Sequence, residues 1–357
     1  MSKRHYIIPI FVPHEGCPHT CVFCNQDSIT GSCFSIDGDF VRQTIEQYLD
    51  TIKGDNLIIE VSFFGGTFTA INIVKQKELL AVAKEYKDAK KINYIRLSTR
   101  PDYINDEILS NLKDYEVDII ELGVQSLDNE VLIKSGRGHS SEDVYTASNL
   151  IKEYGFTLGH QIMLGLPGDT KLKDIETTKK VIDLNPDICR IYPSLVIKDT
   201  PMEKMFKEGI YKPYSLEEAV EISKRVYAML TCNNITVIRI GLQPTEEINY
   251  GGDIIEGPFH PAFRELVEGS IYCDMIKEYI RVNKDCNEVH INPKDISKLY
   301  ANKKEYFERI SKEFEHINLK VIQSAGIGRG TLGFKNNSNI ENVTQVQYLL
   351  DAYSKSI

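Results

Sequence analysis

The first two thirds of the chain alternate between short apolar runs and longer segments with apolar residues at helical spacing. The short runs are bounded by turn residues, as in buried strands, and the longer segments place apolar side chains three or four residues apart. The runs predict six strands, at 6–12, 57–64, 94–98, 118–124, 157–164 and 187–192. The longer segments predict helices at 37–52, 72–87, 106–113, 141–154 and 169–183.

Alternation of strands and helices at this regularity predicts parallel strands joined by right-handed crossovers. We therefore predict an α/β fold in which residues 1–232 form a partial (β/α)6 TIM-type barrel, with its active site at the carboxyl ends of the strands. Residues 233–357 are predicted to form a small C-terminal α/β extension packed on the barrel. Its predicted elements are a strand candidate at 235–240, a strand at 288–291, a charged helix at 295–316 and a strand at 319–323.

Length and charge narrow the function classes. A chain of 357 residues is long enough for a barrel with a substantial core. The N-terminus lacks the apolar segment of a signal peptide and no stretch approaches a membrane span, which favours a cytoplasmic protein without membrane contact. The formal net charge of −9 argues against a broad electrostatic grip on nucleic acid, although a local basic patch stays compatible with it.

Three of the eight cysteines lie in one short loop after the first predicted strand. Cys17, Cys21 and Cys24 have the spacing C-x3-C-x2-C, and no fourth cysteine stands where it would complete a four-thiolate set. Three thiolates of one loop can each reach one iron of a cubane cluster, which leaves one iron without a protein ligand. The alternative is a tetrahedral zinc site with His19 or His14 as the fourth ligand.

A glycine turn follows the second predicted strand. Gly65, Gly66 and Thr67 come directly after the run 57–64. Two glycines let the backbone approach a ligand closely, and exposed backbone groups can hold a zwitterion. A plain tight turn has the same composition, but the position one strand after the cysteine loop favours ligand binding.

The cysteine spacing, with Phe23 before the last cysteine, and the glycine turn together resemble the cluster and glycine motifs of the radical S-adenosylmethionine (SAM) superfamily. The resemblance implies a partial barrel of the radical SAM type. It also implies a 4Fe-4S cluster on the three cysteines, whose open iron chelates the methionine part of SAM, and SAM contacts from Phe23 and the glycine turn. Reductive cleavage of SAM then gives a 5′-deoxyadenosyl radical that abstracts hydrogen from a substrate. An electron donor such as ferredoxin or flavodoxin would reduce the cluster.

Further motifs resemble the radical SAM domain of the Elongator catalytic subunit and the anaerobic coproporphyrinogen dehydrogenases. They are ELGVQS (121–126), GRGH (136–139) and QIMLGLPG (161–168). In those families, residues that match Gln125 and Arg137 contact the methionine carboxylate of SAM, and a guanidinium group suits a carboxylate because it can donate two parallel hydrogen bonds. Ser98 and Gln161 stand where the dehydrogenases have a glutamate and an aspartate, so the resemblance implies contacts to the ribose of SAM. Strand-end packing is an equal alternative for Ser98.

The segments RIYPSLVI (190–197) and GIYKPY (209–214) resemble the Elongator subunit in particular. This resemblance favours an RNA base or nucleotide, such as one in tRNA, as the substrate. Elongator subunits usually space their first two cysteines more widely and carry an acetyltransferase domain, which this chain is not expected to accommodate. A small metabolite is therefore the second candidate substrate, and a non-enzymatic zinc- or cluster-binding module is the alternative of a different class. Residues 239–268, rich in Gly and Pro, are either a substrate cap or an ordinary connection.

Overall fold

The structure is a computed structural model that describes residues 4–12, 17, 19–25, 36–245, 248–249, 251–336 and 339–353. Seven parallel strands form its main sheet and follow one another across the sheet in chain order. These strands are β1 (Arg4–Val12), β2 (Leu57–Gly65), β3 (Tyr94–Thr99), β4 (Ile119–Gln125), β5 (Thr157–Leu164), β6 (Ile188–Pro193) and β8 (Thr236–Ile240). Outside this sheet, the short strands β7 (Val196–Ile197) and β9 (Ile254–Glu256) pair with each other.

The main sheet curls into a half-barrel. The guanidinium group of Arg190 on β6 lies 5.6 Å from the ring centre of Phe64 on β2, although three strands separate β2 from β6 in the sheet. The two side chains meet because the curled sheet brings its distant strands face to face across a lumen. The α/β class and the partial TIM-type barrel predicted from the sequence are therefore confirmed.

Helices connect the strands, and the longer ones pack on the convex face of the sheet. They are α1 (Gly38–Thr51), α2 (Ile73–Asp88), α3 (Asp106–Asp114), α4 (Asn129–Lys134), α5 (Ser141–Glu153), α6 (Lys171–Leu184), α7 (Pro201–Lys207) and α8 (Leu216–Cys232). Several begin at a side-chain cap, and Ser140 and Ser215 each form a full capping box at the starts of α5 and α8. Leu79 of α2 and Phe63 of β2 are fully buried in the same apolar core, which shows how helix and sheet stabilise each other.

The concave face of the sheet carries several charged side chains, in contrast to the apolar convex face. Successive strand residues point to opposite faces, so Glu60, Arg96, Glu121 and Arg190 all project into the lumen. Arg96 bridges the two carboxylates, with its Nε 2.8 Å from Glu60 Oε1 and its Nη1 3.1 Å from Glu121 Oε1. Arg190 Nε lies 2.9 Å from Glu121 Oε1. Two positive and two negative side chains, of which Arg190 alone is only partly buried, therefore form one connected group, which we call the lumen ion network.

The seventh strand of the barrel sheet was only a strand candidate in the sequence analysis. β8 pairs in parallel with β6 and lies after residue 232, where the predicted barrel unit ends. The main sheet thus extends past that residue, while the division of the chain into 1–232 and 233–357 stays a prediction.

The C-terminal part adds a second sheet, of four strands in the order β11-β10-β12-β13, and four helices. The strands are β10 (Glu288–Ile291), β11 (Lys320–Gln323), β12 (Thr331–Asn336) and β13 (Asn339–Thr344), and the helices are α9 (Phe263–Val282), α10 (Ile296–Leu299), α11 (Glu305–Glu313) and α12 (Gln345–Tyr353). The continuous helix predicted at 295–316 is wrong, because Lys303 and Lys304 adopt positive φ between α10 and α11. Within the described part of the chain, no helix has the length and apolar character needed to cross a membrane.

Candidate cluster and SAM site

The cysteine loop lies directly after β1 and contacts two other parts of the predicted site. Cys17 Sγ lies 3.2 Å from Thr67 Oγ1 of the glycine turn. Cys21 is buried, and Arg137 Nη1 donates a hydrogen bond of 3.3 Å to its sulfur. The backbone N–H of Cys24 bonds the carbonyl of Cys21 at 3.1 Å, which closes a turn between the last two cysteines. The loop therefore places Cys17 beside the glycine turn and Cys21 beside Arg137.

Backbone contacts fix this loop from its other side. Val22 N–H donates to Ser135 O at 3.0 Å, and Met202 N–H donates to Val22 O at 2.9 Å. Gly138 adopts a φ of +75°, and a Cβ placed there would lie 2.5 Å from the imidazole ring of His19. Phe23 packs against an apolar cluster around Met202, so its observed contacts support the loop. Gly138, the second glycine of the GRGH motif, is thus needed because a side chain at this position would collide with His19 of the cysteine loop.

The glycine turn continues from β2 alongside the end of β1. Gly65 has a φ of +103°, and a Cβ built on it would lie 2.5 Å from the carbonyl oxygen of Val12. Gly66 N–H donates to the same oxygen at 3.0 Å. Thr67 is fully buried and contacts Cys17. Close backbone approach therefore demands glycine at position 65, and the turn is held against the segment that leads into the cysteine loop.

Gln125 and Arg137 are buried polar side chains with unused hydrogen-bonding capacity. Gln125 ends β4 with a φ of 65°, a strained value for a residue other than glycine and one that often marks a functional site. Its Oε1 atom, like the Nε atom of Arg137, has no hydrogen-bond partner in the part of the chain that the structure describes. Buried polar groups are normally paired, so these two atoms fit a polar ligand. An acceptor and a charged donor match the ammonium and carboxylate groups of an amino acid.

Gly123 completes this arrangement and was not singled out as a site residue from the sequence. Its carbonyl accepts a 2.5 Å hydrogen bond from Arg137 Nη2, and a Cβ at this position would lie 2.8 Å from that same nitrogen. The sequence signal that could have identified it is a glycine inside a strand, which often marks a close approach of a neighbouring group.

Ser98 and Gln161 are half-buried on β3 and β5. In the strand register, Ser98 pairs with Glu121, and Gln161 pairs with Gly123 and Arg190. Paired residues of parallel strands project to the same face, so both side chains lie on the lumen face near the strand ends. Their predicted ribose contacts stay predictions.

The loop after β5 is fixed by a buried carboxylate. Asp174 accepts hydrogen bonds from Gly165 N–H at 3.3 Å and from the hydroxyl of Tyr214 at 2.9 Å. The Tyr211 hydroxyl donates to Gly165 O at 2.7 Å. Burial, together with the neighbouring Asp169, raises the pKa of Asp174 well above its usual value. The two tyrosines of the GIYKPY segment therefore hold the LGLPG segment in place.

His139 is a buried neutral group behind the same site. Burial, reinforced by the positive charges of Arg137 and Arg100, lowers the pKa of His139 to about 3.

Among the described residues, no three side chains of His, Cys, Asp or Glu are arranged to hold a single metal ion. His14, one of the two candidate fourth ligands of the zinc alternative, lies outside the described residues.

Two family profiles and several known proteins match the chain. A profile of the radical SAM superfamily matches residues 11–182, and a profile of the radical SAM C-terminal domain matches residues 186–272. The tRNA uridine(34) acetyltransferase of Methanocaldococcus jannaschii is 30% identical over 255 residues, which are 60% of this chain and 47% of that protein. Human Elongator complex protein 3 is 34% identical over 139 residues, covering 38% of this chain and 25% of that protein.

A further relative, an uncharacterised protein of M. jannaschii, is 31% identical over 232 residues, which are 62% of this chain and 70% of that protein. The solved structure of the Methanocaldococcus infernus Elp3 with an N-terminal deletion superposes with a TM-score of 0.60 at 27% identity, covering 78% of this chain and 64% of that one. The chain spans about half the length of the acetyltransferases it matches. From the profiles, the relatives and the half-barrel together, the chain is a member of the radical SAM superfamily.

Proposed function

We propose that this radical SAM enzyme acts on a base of RNA, with uridine 34 of tRNA as the first candidate. The relatives named tRNA uridine(34) acetyltransferase align with the chain over more than half of its length. The observation that supports the catalytic site best is the meeting of Cys21, Gln125 and Arg137, where buried polar atoms have no partner among the described residues.

The residues present fit both implied cofactors. Cys17, Cys21 and Cys24 would hold the 4Fe-4S cluster, which, when reduced, supplies the electron that cleaves SAM. Arg137 would hold the methionine carboxylate, since its guanidinium group is fixed by Cys21 and Gly123 and its Nε has no partner in the described chain. Gln125 Oε1 would accept a hydrogen bond from the methionine ammonium group.

Further residues predicted to bind SAM lie on the glycine turn and on the lumen wall. The backbone of Gly65, Gly66 and Thr67 lies close enough to the cysteine loop to contact the same methionine part. Ser98 and Gln161 project from neighbouring parts of the lumen wall and would bind the ribose hydroxyls. Exclusion of water from the reacting groups would protect a reactive intermediate. A ferredoxin or flavodoxin is the proposed electron donor.

Anaerobic purification and a product assay test the proposal. We expect about four irons per chain by metal analysis, and formation of 5′-deoxyadenosine when dithionite and SAM are added. The Cys17→Ala variant should lose both, while Cys232→Ala, which removes a thiol on α8, should keep both. A colourless protein with stoichiometric zinc and no iron would instead support the non-enzymatic zinc module.

The substrate is tested with an anticodon stem-loop RNA that contains deuterated uridine at position 34. Deuterium in 5′-deoxyadenosine would support hydrogen abstraction from that nucleotide. The matched control is the same RNA with deuterated cytidine at position 34. A cluster that cleaves SAM but takes no deuterium from either RNA would favour the small-metabolite alternative.

A further inference from the structure

An aromatic surface lines the lumen on the side of β1 and β2. Phe11 pairs with Phe64 in the strand register, and their ring centres lie 6.4 Å apart at an interplanar angle of 43°. Phe64 lies two and four residues beyond Ser62 and Glu60, which belong to the lumen face, so both rings face the lumen. Phe11 is nevertheless 47% exposed, an unusual exposure for a phenylalanine on a barrel sheet.

A guanidinium group adds to this surface from the opposite wall. Arg190 lies over the ring of Phe64 at 5.6 Å, and its Nη1 lies 3.4 Å from the hydroxyl of Tyr192. Glu121 holds the Nε of Arg190 at 2.9 Å. Three flat groups from β1, β2 and β6 therefore lie together in the lumen.

The charge of Arg190 is already balanced. The lumen ion network pairs Arg190 and Arg96 with Glu60 and Glu121. A phosphate or carboxylate of a ligand would have to compete with a buried carboxylate for Arg190, at a desolvation cost. A guanidinium group can also stack its planar face on a ring, as it does when arginine contacts nucleobases.

The strands between these groups carry both small and charged residues on the lumen face. Ser98 on β3, Gly123 on β4 and Gly159 on β5 are small, whereas Arg96 and Glu121 on β3 and β4 belong to the lumen ion network. The flat groups described above lie on β1, β2 and β6. A flat ring matches such groups better than a branched aliphatic metabolite does.

We propose that Phe11, Phe64 and Arg190 form the surface on which the substrate stacks a pyrimidine base. The inference rests on the proposed function and extends it, because it assigns substrate recognition to residues outside the SAM site. Recognition comes from the face of the ring and from the Tyr192 hydroxyl at its edge, while the phosphates of the nucleic acid stay outside the lumen.

Binding of an RNA probe to matched variants tests this surface. The probe is an anticodon stem-loop RNA with uridine at position 34, titrated against the cluster-loaded protein in the presence of SAM. Phe11→Leu keeps the apolar volume but removes the flat ring, and should weaken binding about 5- to 150-fold, the range that corresponds to ~1–3 kcal/mol per stacked base. Phe11→Tyr restores the ring and should bind like the wild type. Phe40→Leu changes a phenylalanine of similar exposure on α1, outside the lumen, and should have no effect.

Photocrosslinking supplies an independent readout. The same RNA with 5-iodouridine at position 34 should crosslink to the peptide that carries Phe11 or Phe64, as identified by mass spectrometry. Equal binding by wild type and Phe11→Leu, or a crosslink that maps to another surface, would overturn the stacking surface while leaving an RNA substrate in place. If wild-type protein that cleaves SAM shows no RNA binding, the RNA substrate fails as well, and with it this inference.

Discussion

Replacing Gly65 with alanine should destabilise the protein through one identifiable contact. The residue has a φ of +103°, and an added Cβ would lie 2.5 Å from the carbonyl oxygen of Val12. That oxygen also accepts the hydrogen bond from Gly66 N–H, so any shift that relieves the contact weakens this bond. The cysteine loop follows closely after Val12 in the chain, so the same shift would disturb the predicted cluster site.

The expected cost has two parts. Backbone strain at a φ that L-residues rarely adopt costs about 1–3 kcal/mol. Loss of the backbone hydrogen bond adds about 0.5–1.5 kcal/mol. A total of about 1.5–4.5 kcal/mol corresponds to a Tm decrease of roughly 2–6 °C for a chain of this size.

Thermal unfolding of the anaerobically purified protein measures this effect. The matched control is Gly251→Ala, because Gly251 has a φ of +93° and, among the residues that the structure describes, no neighbouring atom lies within 4 Å of an added Cβ. Both variants carry backbone strain, but only Gly65→Ala carries the contact with Val12. Equal Tm values for the two variants would refute the reasoning. Iron content should also fall in Gly65→Ala and not in the control.

Three further predictions concern the barrel interior. Arg96→Met leaves Glu60 and Glu121 buried without their shared partner and should lower the free energy of unfolding in urea by about 3–5 kcal/mol. Adding Glu60→Gln should restore part of this loss. An unchanged urea midpoint in Arg96→Met would contradict a stabilising role of the lumen ion network. Gly159→Ala places a Cβ 2.7 Å from Cγ of Glu121, and this overpacking should lower the free energy of unfolding by about 1–3 kcal/mol. A variant as stable as the wild type would show that Glu121 can move freely. Burial lowers the pKa of His160 in the folded protein from 6.5 to about 3. Because His160 binds a proton at a higher pH in the unfolded chain than in the folded protein, the free energy of unfolding should fall as the pH drops from about 6.5 towards 3. His160→Gln should flatten that dependence in urea unfolding between pH 7 and 5, and an equal slope in both proteins would exclude His160 as its source.

The alternation of apolar runs and helical segments predicts the half-barrel because each strand has a strong local signature. The seventh strand was assigned only as a candidate, since β8 is five residues long and is followed by a Gly- and Pro-rich segment that interrupts the pattern. The break between α10 and α11 escaped prediction for a different reason. Lys303 and Lys304 have no local preference for positive φ, so the charged segment reads as one continuous helix.

The candidate site, like the fold, could be predicted only in part from the sequence. The spacing of the cysteines and the glycine turn identify it from the sequence, because these features are local. The lumen ion network is not local: Glu60 and Glu121 stand alone in apolar strands, and only the curled sheet brings them to Arg96. A single charge inside a buried strand is the signal that could have suggested such a partner.

In the proposed site, Arg137 would link cluster binding to SAM binding. One guanidinium group contacts the sulfur of Cys21 and the carbonyl of Gly123, beside the buried Gln125. Assembly of the cysteine site and binding of the amino acid part of SAM would then order the same side chain, which creates a coupling free energy between them. Because such coupling is reciprocal, a loaded cysteine loop should raise the affinity for SAM, and bound SAM should raise the affinity of the loop for the cluster by the same factor. A single arginine would thereby make the binding of each cofactor favour the binding of the other.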